Sequence, residues 1–300
     1  MCKTFSAVYT RSENLIFHPE STDSHEDLID NAGLSDRGQG GFVRLEFYPP
    51  NNQWDSPSSY QLYVDETAAP EWFTPEIRGR VTASLRERIS RMIVREDRKI
   101  LLGGAWILSG EITITRCVGP RIIHAGRATI RNANDATIEY AGSATIEHAG
   151  HATIRNANDA TIEYAGRATI RNADSATIRN ANGATIEHAG RATIGNAGSA
   201  TIRNANDATI EHANDATIEH AGCATIRNAN DATIEYAGCA TIEHAGRATI
   251  RNAGSATIKY AGRATICNAG SATIEYANDA TIEYANDATI EHAGRATITQ

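Results

Sequence analysis

From Ala128 onward the chain repeats one eight-residue unit, Ala-Thr-Ile-x-x-Ala-Gly/Asn-x, through 21 complete copies and a partial one that reaches Gln300. A unit this short cannot bury its own apolar side chains, so successive copies have to stack into one elongated core. Helix-pair repeats need more than about thirty residues and leucine-rich repeats about twenty, which leaves a short strand and a corner as the elements that fit. With octad positions numbered one to eight from Ala128, position three is Ile from Ile130 to Ile298, position two is Thr, and positions one and six are Ala. Alternation along a strand sets Ile at three and Ala at one on one side, with Thr at two and position four on the other. Position four is mostly Arg or Glu, so the Ile and Ala side faces inward. Ala at six must then return to the interior, which requires a bend near five. Position seven is Gly, Asn or Asp, the residues that tolerate the positive φ of a tight corner.

The charges at position four indicate how many octads make one coil. Stacked strands lie about 4.8 Å apart, so vertical neighbours of opposite charge attract and like charges repel. Two octads per coil make residues sixteen apart vertical neighbours: Arg131 meets Glu147, Glu139 meets Arg155, and Glu243 meets Lys259. This register gives 11 opposite and 4 like pairs, whereas three octads per coil give 4 opposite and 10 like pairs. The sequence therefore predicts a mainly β fold, a β-solenoid with sixteen residues per coil. The recurrence at twenty-four residues, seen in Arg131, Arg155, Arg179 and Arg203, then records duplication of a three-octad unit. Cys223 and Cys239 both occupy position eight and are sixteen apart, so the same register brings them to roughly 5 Å, a separation that a disulfide can bridge. Independent duplications of a tolerated residue would give the same spacing.

Read backward in eights, Ile122, Ile114 and Trp106 fall at position three, so degenerate coils are expected over 104–127 ahead of the regular octads of 128–300. The expected division is a small domain over residues 1–100 and the solenoid over 101–300. All three Trp, all seven Pro and all five Phe precede Ala128. Lys3 to Tyr9, Asn14 to His18, Phe42 to Tyr48 and Tyr60 to Val64 have strand composition, and Ser24 to Ala32 reads as a short helix. Thr74-Pro75 opens a helix over about 75–95, with Thr as cap and Pro in the first turn. Its stripe of Ile77, Val81, Leu85, Ile89, Met92 and Ile93 is expected, with Trp106, to cover the first coil, where an open sheet edge would invite association. Residues 1–100 thus read as an α+β domain with a capping helix.

Chemistry-bearing clusters are sparse. Arg78, Arg80, Arg86, Arg88, Arg91, Arg95, Arg98 and Lys99 make a basic helix face, but it lacks interleaved aromatics and a second basic element, so nucleic acid is not the expected partner. Asp23, His25 and Glu26 read as a polar helix start rather than metal ligands, and Asp65-Glu66 as a strand end rather than a catalytic pair. No nucleophile motif, phosphate loop or zinc spacing is present. The repeat histidines His148, His188, His212, His220, His244 and His292 never become vertical neighbours of one another, which argues against a metal column. The expectation is a protein with no catalytic, cofactor-binding or metal site.

The opening Met1-Cys2-Lys3, the stretch Asp23-Ser24-His25-Glu26-Asp27-Leu28-Ile29, Val64-Asp65-Glu66 with Pro70-Glu71-Trp72-Phe73, and Ile100-Leu101-Leu102-Gly103-Gly104 together resemble an uncharacterised family. Its members are short phage, prophage and gut-bacterial proteins that carry this domain ahead of a variable repetitive tail. The resemblance covers roughly the first 120 residues; it implies a phage or mobile-element setting and supplies no activity. The tail resembles, more loosely, the octads of bacterial ice-nucleation proteins. That second resemblance implies ice binding through Thr rows, yet those octads present Thr-x-Thr, and here Thr129-Ile130-Arg131 and Thr137-Ile138-Glu139 put charge where the second hydroxyl would stand.

The net charge is −8, and six of those eight excess negative charges fall from Ala128 onward, so a DNA mimic that occupies a DNA-binding enzyme is a further alternative. Mixed Arg and Glu columns weaken it. A polysaccharide-cleaving β-helix would need irregular loops, and an enzyme confined to residues 1–100 would keep turnover without the solenoid. No run reaches membrane-spanning length, and the start lacks the basic and apolar regions of a signal peptide. Five scattered cysteines read as reduced thiols, so a cytoplasmic location is expected, with release by a leaderless route left open. The expected function is a non-enzymatic structural and interaction protein that shows a patterned surface to a macromolecular partner. The expected surface includes Thr129, Arg131, Thr137, Glu139, Thr145, Glu147, Thr153 and Arg155. Cys223 and Cys239 are the expected coil-to-coil contact, and Thr297, Ile298 and Thr299 the expected point of end-to-end association between copies.

Overall fold

A computed structural model describes residues 5–35, 41–285 and 287–299. Met1, Cys2 and Lys3 of the family-like opening, the first two residues of the expected strand from Lys3, and Gln300 lie outside the described residues. The chain divides into two compact units, Met1–Arg95 with Gly103–Ser109, and Glu96–Leu102 with Gly110–Gln300.

In the first unit, β1 (Phe5–Thr10), β2 (Leu15–Ile16), β3 (Phe42–Tyr48) and β4 (Gln61–Val64) form an antiparallel sheet in the order β2-β1-β3-β4. Helix α1 (His25–Asn31) is capped by the Ser24 hydroxyl, which accepts from the Asp27 amide, and it sets Leu28 and Ile29 against Val8 and Phe42. Helix α2 (Pro75–Met92) starts as expected, with the Thr74 side chain accepting from the Ile77 amide. Val81, Leu85, Ile89 and Met92 form its buried face. The helix stops short of 95 because Ile93-Val94 turns extended and pairs in parallel with Ile107-Leu108. This pairing corrects one expectation: Ile107, fully buried, takes the inward position, and Trp106 is only half-buried with its indole N–H donating to the Gly103 carbonyl.

The second unit is a β-solenoid of about 13 coils with sixteen residues each, as predicted. Each octad contributes one four-residue strand, such as Thr129–Asn132 and Thr137–Tyr140, and alternate octads fall in two parallel sheets. The first sheet has 13 strands and runs from Arg98–Leu102 to Thr289–His292. Strands of the second regular sheet include Arg121–His124 and, at its far end, Thr297–Ile298. Register is strict, with Thr129 opposite Thr145 and Ile130 opposite Ile146 on one sheet, and Thr137 opposite Thr153 and Ile138 opposite Ile154 on the other. A one-octad slip would exchange the sheets, and a one-residue slip would expose every Ile.

The core contains little besides Ile and Ala. Each position-three Ile from Ile130 to Ile282 is completely buried, as is nearly every Ala at positions one and six. Backbone groups are satisfied largely from coil to coil. The Thr145 amide donates to the Ala128 carbonyl at 3.0 Å, and the Ala133 amide to the His148 carbonyl at 2.8 Å. Inside the corner, the Ala136 amide closes a turn onto the Ala133 carbonyl at 2.8 Å. Positive φ sits at position seven in nearly all copies, but at two corners it moves on to Asp135 and Asp231. There the side chains of Asn134 and Asn230 lie under the following coil, where a Cβ on Gly150 or Gly246 would overlap their amide oxygens. Glycine is required at these two corners by contact as well as by φ.

Candidate functional site

With Ile and Ala turned inward, each octad shows solvent positions two, four, five and eight. Thr at position two is half-buried in most strands, so the Thr rows present one hydroxyl per strand beside a charged column. The eight residues of the expected surface do not form one patch. Thr129, Arg131, Thr145 and Glu147 lie on the first sheet, and Thr137, Glu139, Thr153 and Arg155 on the second.

The position-four columns pair across sixteen residues. Glu139–Arg155, Glu163–Arg179, Glu187–Arg203, Glu211–Arg227 and Glu235–Arg251 approach to 3.1, 3.2, 4.0, 3.4 and 3.3 Å. In all five the Arg reaches back to the Glu of the preceding coil. The opposite order, Arg before Glu, closes among the described position-four residues only between Arg131 and Glu147, at 3.9 Å. Most of these pairs are substantially exposed, so each contributes no more than about 0.5 kcal/mol and sets register more than stability. Glu139 differs: it is 6% exposed, held between Arg155 and Arg121, whose Nε lies 2.9 Å away. It is therefore a buried member of an ion-pair cluster and is not displayed. Arg121 stands at position two, where regular copies have Thr, and that irregularity is the sequence signal for the cluster.

Position five carries stacked rings in which His pairs with Tyr rather than with His. His148–Tyr164 and His220–Tyr236 stack with ring centroids 5.1 and 5.0 Å apart. His244, Tyr260, Tyr276 and His292 form a four-ring column with centroid steps of 4.9, 5.1 and 4.8 Å. Between the rings stand Asn pairs, such as Asn156 and Asn172, whose amide and carbonyl meet at 3.2 Å. Ring meets amide at many other steps, such as Tyr164–Asn180 and Tyr236–Asn252; the ring-on-ring steps are already written in the sixteen-residue spacing of His and Tyr.

Cys223 and Cys239 are joined by a disulfide, with Cα atoms 4.7 Å apart. The contact expected from their spacing is present, and the expectation of reduced thiols is corrected at these two positions. Cys117 and Cys267 are free thiols, Cys117 at a buried position six and Cys267 partly exposed at position four. Burial pushes the Cys117 thiol up to about 12. Its neutral form therefore favours the folded state at lower pH, and that contribution is lost as pH rises through the ordinary thiol range toward about 12. Iodoacetamide applied to the folded protein at mildly alkaline pH is expected to modify Cys267 well before Cys117, as read by peptide mass spectrometry. Equal rates would contradict the burial of Cys117.

In the first unit most of the basic helix face is engaged internally. Arg78, Arg86 and Arg95 donate to the carbonyls of Leu62, Tyr60 and Asp55 at 2.8, 3.0 and 2.9 Å, and Arg80 pairs with Glu13 at 3.2 Å. His25 is buried, with Nε2 2.9 Å from the Leu45 carbonyl and Nδ1 3.4 Å from Asp65, so both ring nitrogens have structural partners. Asp23, His25 and Glu26 are not brought together as ligands, and among the described residues no group of three His, Cys, Asp or Glu could hold a metal. A cleft of about 430 Å³ lies between α2 and the β1–β2 hairpin, lined by Tyr9, Glu13, Asn14, Arg80, Ser84 and Arg88 among others.

At the far end, Thr297 and Ile298 pair with Thr281 and Ile282, the Thr299 amide donates to the Ile282 carbonyl, and Ile298 is 40% exposed. Among the described residues no helix is long and apolar enough to cross a membrane. No protein-family model matches the chain, and no curated protein and no solved structure matches it either.

Proposed function

We propose that the chain is a structural repeat protein without catalytic activity, whose solenoid presents a patterned surface to a macromolecular partner. One observation carries this: the frame of each regular coil is invariant while its outward positions vary. Ile and Ala are confined to the core and the backbone bonds neighbouring coils, so recognition falls to positions two, four, five and eight. Position two is constantly Thr, whereas position four changes from coil to coil mostly between Arg and Glu, position five between Asn, Tyr and His, and position eight also varies, without altering the frame. Adding or removing coils would change the length of the display and leave its chemistry alone, which suits a phage or mobile-element setting where repeat number varies.

The two sheets show different columns, so the test treats them separately. One full-length variant carries Arg179→Glu and Arg227→Glu on the first sheet, and another carries Arg171→Glu and Arg203→Glu on the second. Affinity capture from the host is expected to retain a partner on the parent and on one variant, and to lose it on the other, with both variants folded by circular dichroism. A partner held equally by all three would place recognition off the charged columns.

A further inference from the structure

Two consecutive coils of the solenoid carry both the disulfide and a ring stack. Cys223 and Cys239 follow strands Thr217–His220 and Thr233–Tyr236, whose last residues are the stacked His220 and Tyr236. The crosslink therefore fixes the two strands that hold the rings. On the next two coils of the same sheet, position five is Asn252 and then Asn268, in direct register with Tyr236. An Asn carboxamide is shorter than a Tyr ring, so the outer part of the Tyr236 face is uncovered, and Tyr236 is 51% exposed. The result is a recess of about 240 Å³ lined by Glu235, Tyr236, Arg251, Asn252 and Asn268.

Asn252, the first amide above Tyr236, differs from the amides that directly follow Tyr140, Tyr164 and His188, while Asn268 matches Asn196 in accepting from the glycine two residues on. Elsewhere Asn156, Asn180 and Asn204 donate their side-chain N–H to the carbonyls of Glu139, Glu163 and Glu187 on the preceding coil. Asn252 and Asn268 instead turn their carbonyl oxygens to the amides of Gly254 and Gly270, each at 3.0 Å. Among the described residues, neither side-chain nitrogen has a protein acceptor within hydrogen-bond distance. Arg251 stands at the same wall, held by Glu235 at 3.3 Å. The recess thus combines an aromatic platform, a row of N–H donors and a guanidinium.

We propose that this recess binds a nucleobase, stacked on Tyr236 with the acceptors of its edge turned to Asn252, Asn268 and Arg251. A planar heterocycle matches the free ring face, and carbonyl and ring-nitrogen acceptors match donors that lack protein partners. The step after Tyr164 is an internal control. It too is followed by Asn180, but that amide is engaged with the Glu163 carbonyl at 3.2 Å, and no crosslink holds its strands. The site would operate whether or not the solenoid surface also binds a macromolecule.

The test is titration calorimetry of the full chain with each common ribonucleoside, followed by a short single-stranded oligonucleotide of the preferred base. Saturable binding at one site is expected for the parent. Tyr236→Asn should weaken it at least about fivefold, the lower end of what one base–aromatic stack contributes. Asn252→Tyr should abolish it by continuing the ring column over the recess, and Tyr164→Asn should leave it unchanged. Every substituted residue already occurs at position five elsewhere in the solenoid, which preserves the fold. An oligonucleotide tighter than its nucleoside would assign the base to a strand, and equal affinities would assign it to a free nucleoside. The proposal is overturned if no nucleoside binds the parent at millimolar concentration, if binding survives both Tyr236→Asn and Asn252→Tyr, or if Tyr164→Asn removes it as well.

Discussion

Replacing Ile202 by Ala is expected to destabilise the solenoid by about 2–5 kcal/mol, the cost of deleting a large buried aliphatic side chain and leaving part of its volume empty. Ile202 is fully buried and stacks in register between Ile186 and Ile218, so the gap opens in an otherwise continuous column. The core around it consists of Ile and Ala, and rigid strands on either side limit collapse into the cavity. Because each coil touches only its neighbours, the same change should weaken coupling between the coils before and after it. Denaturant unfolding followed by circular dichroism would then show a lower midpoint and a broader or divided transition. Thr201→Ala, on the outward side of the same strand, is the control and should move stability far less. A response to Ile202→Ala within about 0.5 kcal/mol of the parent, as for a surface substitution, would contradict the inward placement of position three.

Loss of the Cys223–Cys239 crosslink is expected to cost about 3 kcal/mol, the loop-entropy contribution for a bridge that closes a loop of about fifteen residues. Cys223→Ser should nevertheless fold, because the two strands remain joined without the bridge. Ile218 still stacks on Ile234, the Ala221 amide donates to the Tyr236 carbonyl at 2.8 Å, and the Thr233 amide to the Ala216 carbonyl at 2.9 Å. Reductant added to the parent should reproduce the shift, and should do nothing to Cys223→Ser. A peptide pair linked through these two cysteines should be recovered after digestion under oxidising conditions. Recovery of only free thiols at 223 and 239 would contradict the crosslink.

Much of the solenoid was legible because an octad states its geometry locally. Ile at three, Ala at one and six, and Gly, Asn or Asp at seven each follow from strand alternation and corner backbone alone. Coil size was legible for a different reason: position-four charges attract in the sixteen-residue register and repel in the twenty-four-residue one. Legibility failed where the pattern departs from itself. The octad period puts Trp106 at the inward position, but the chain there is irregular and Ile107 takes that place. Glu139 looked like any position-four acid, but Arg121, at a position that normally holds Thr, encloses it. The ring stacks are encoded in the joint spacing of His and Tyr, which the histidines taken alone do not show. A scattered odd number of cysteines suggests free thiols throughout, whereas the sixteen-residue spacing joins Cys223 and Cys239.

The sixteen-residue coil is the central claim, and one distance tests it directly. Ser175 and Ser271 both occupy exposed corner positions, ninety-six residues apart. Spin labels on Ser175→Cys and Ser271→Cys, with Cys2, Cys117, Cys223, Cys239 and Cys267 replaced by Ser, would report their separation by pulsed electron resonance. Two octads per coil put six coils between the labels, or about 29 Å at the spacing of stacked strands. Three octads per coil would put four coils there, and a separation of about 19 Å would contradict the fold described above.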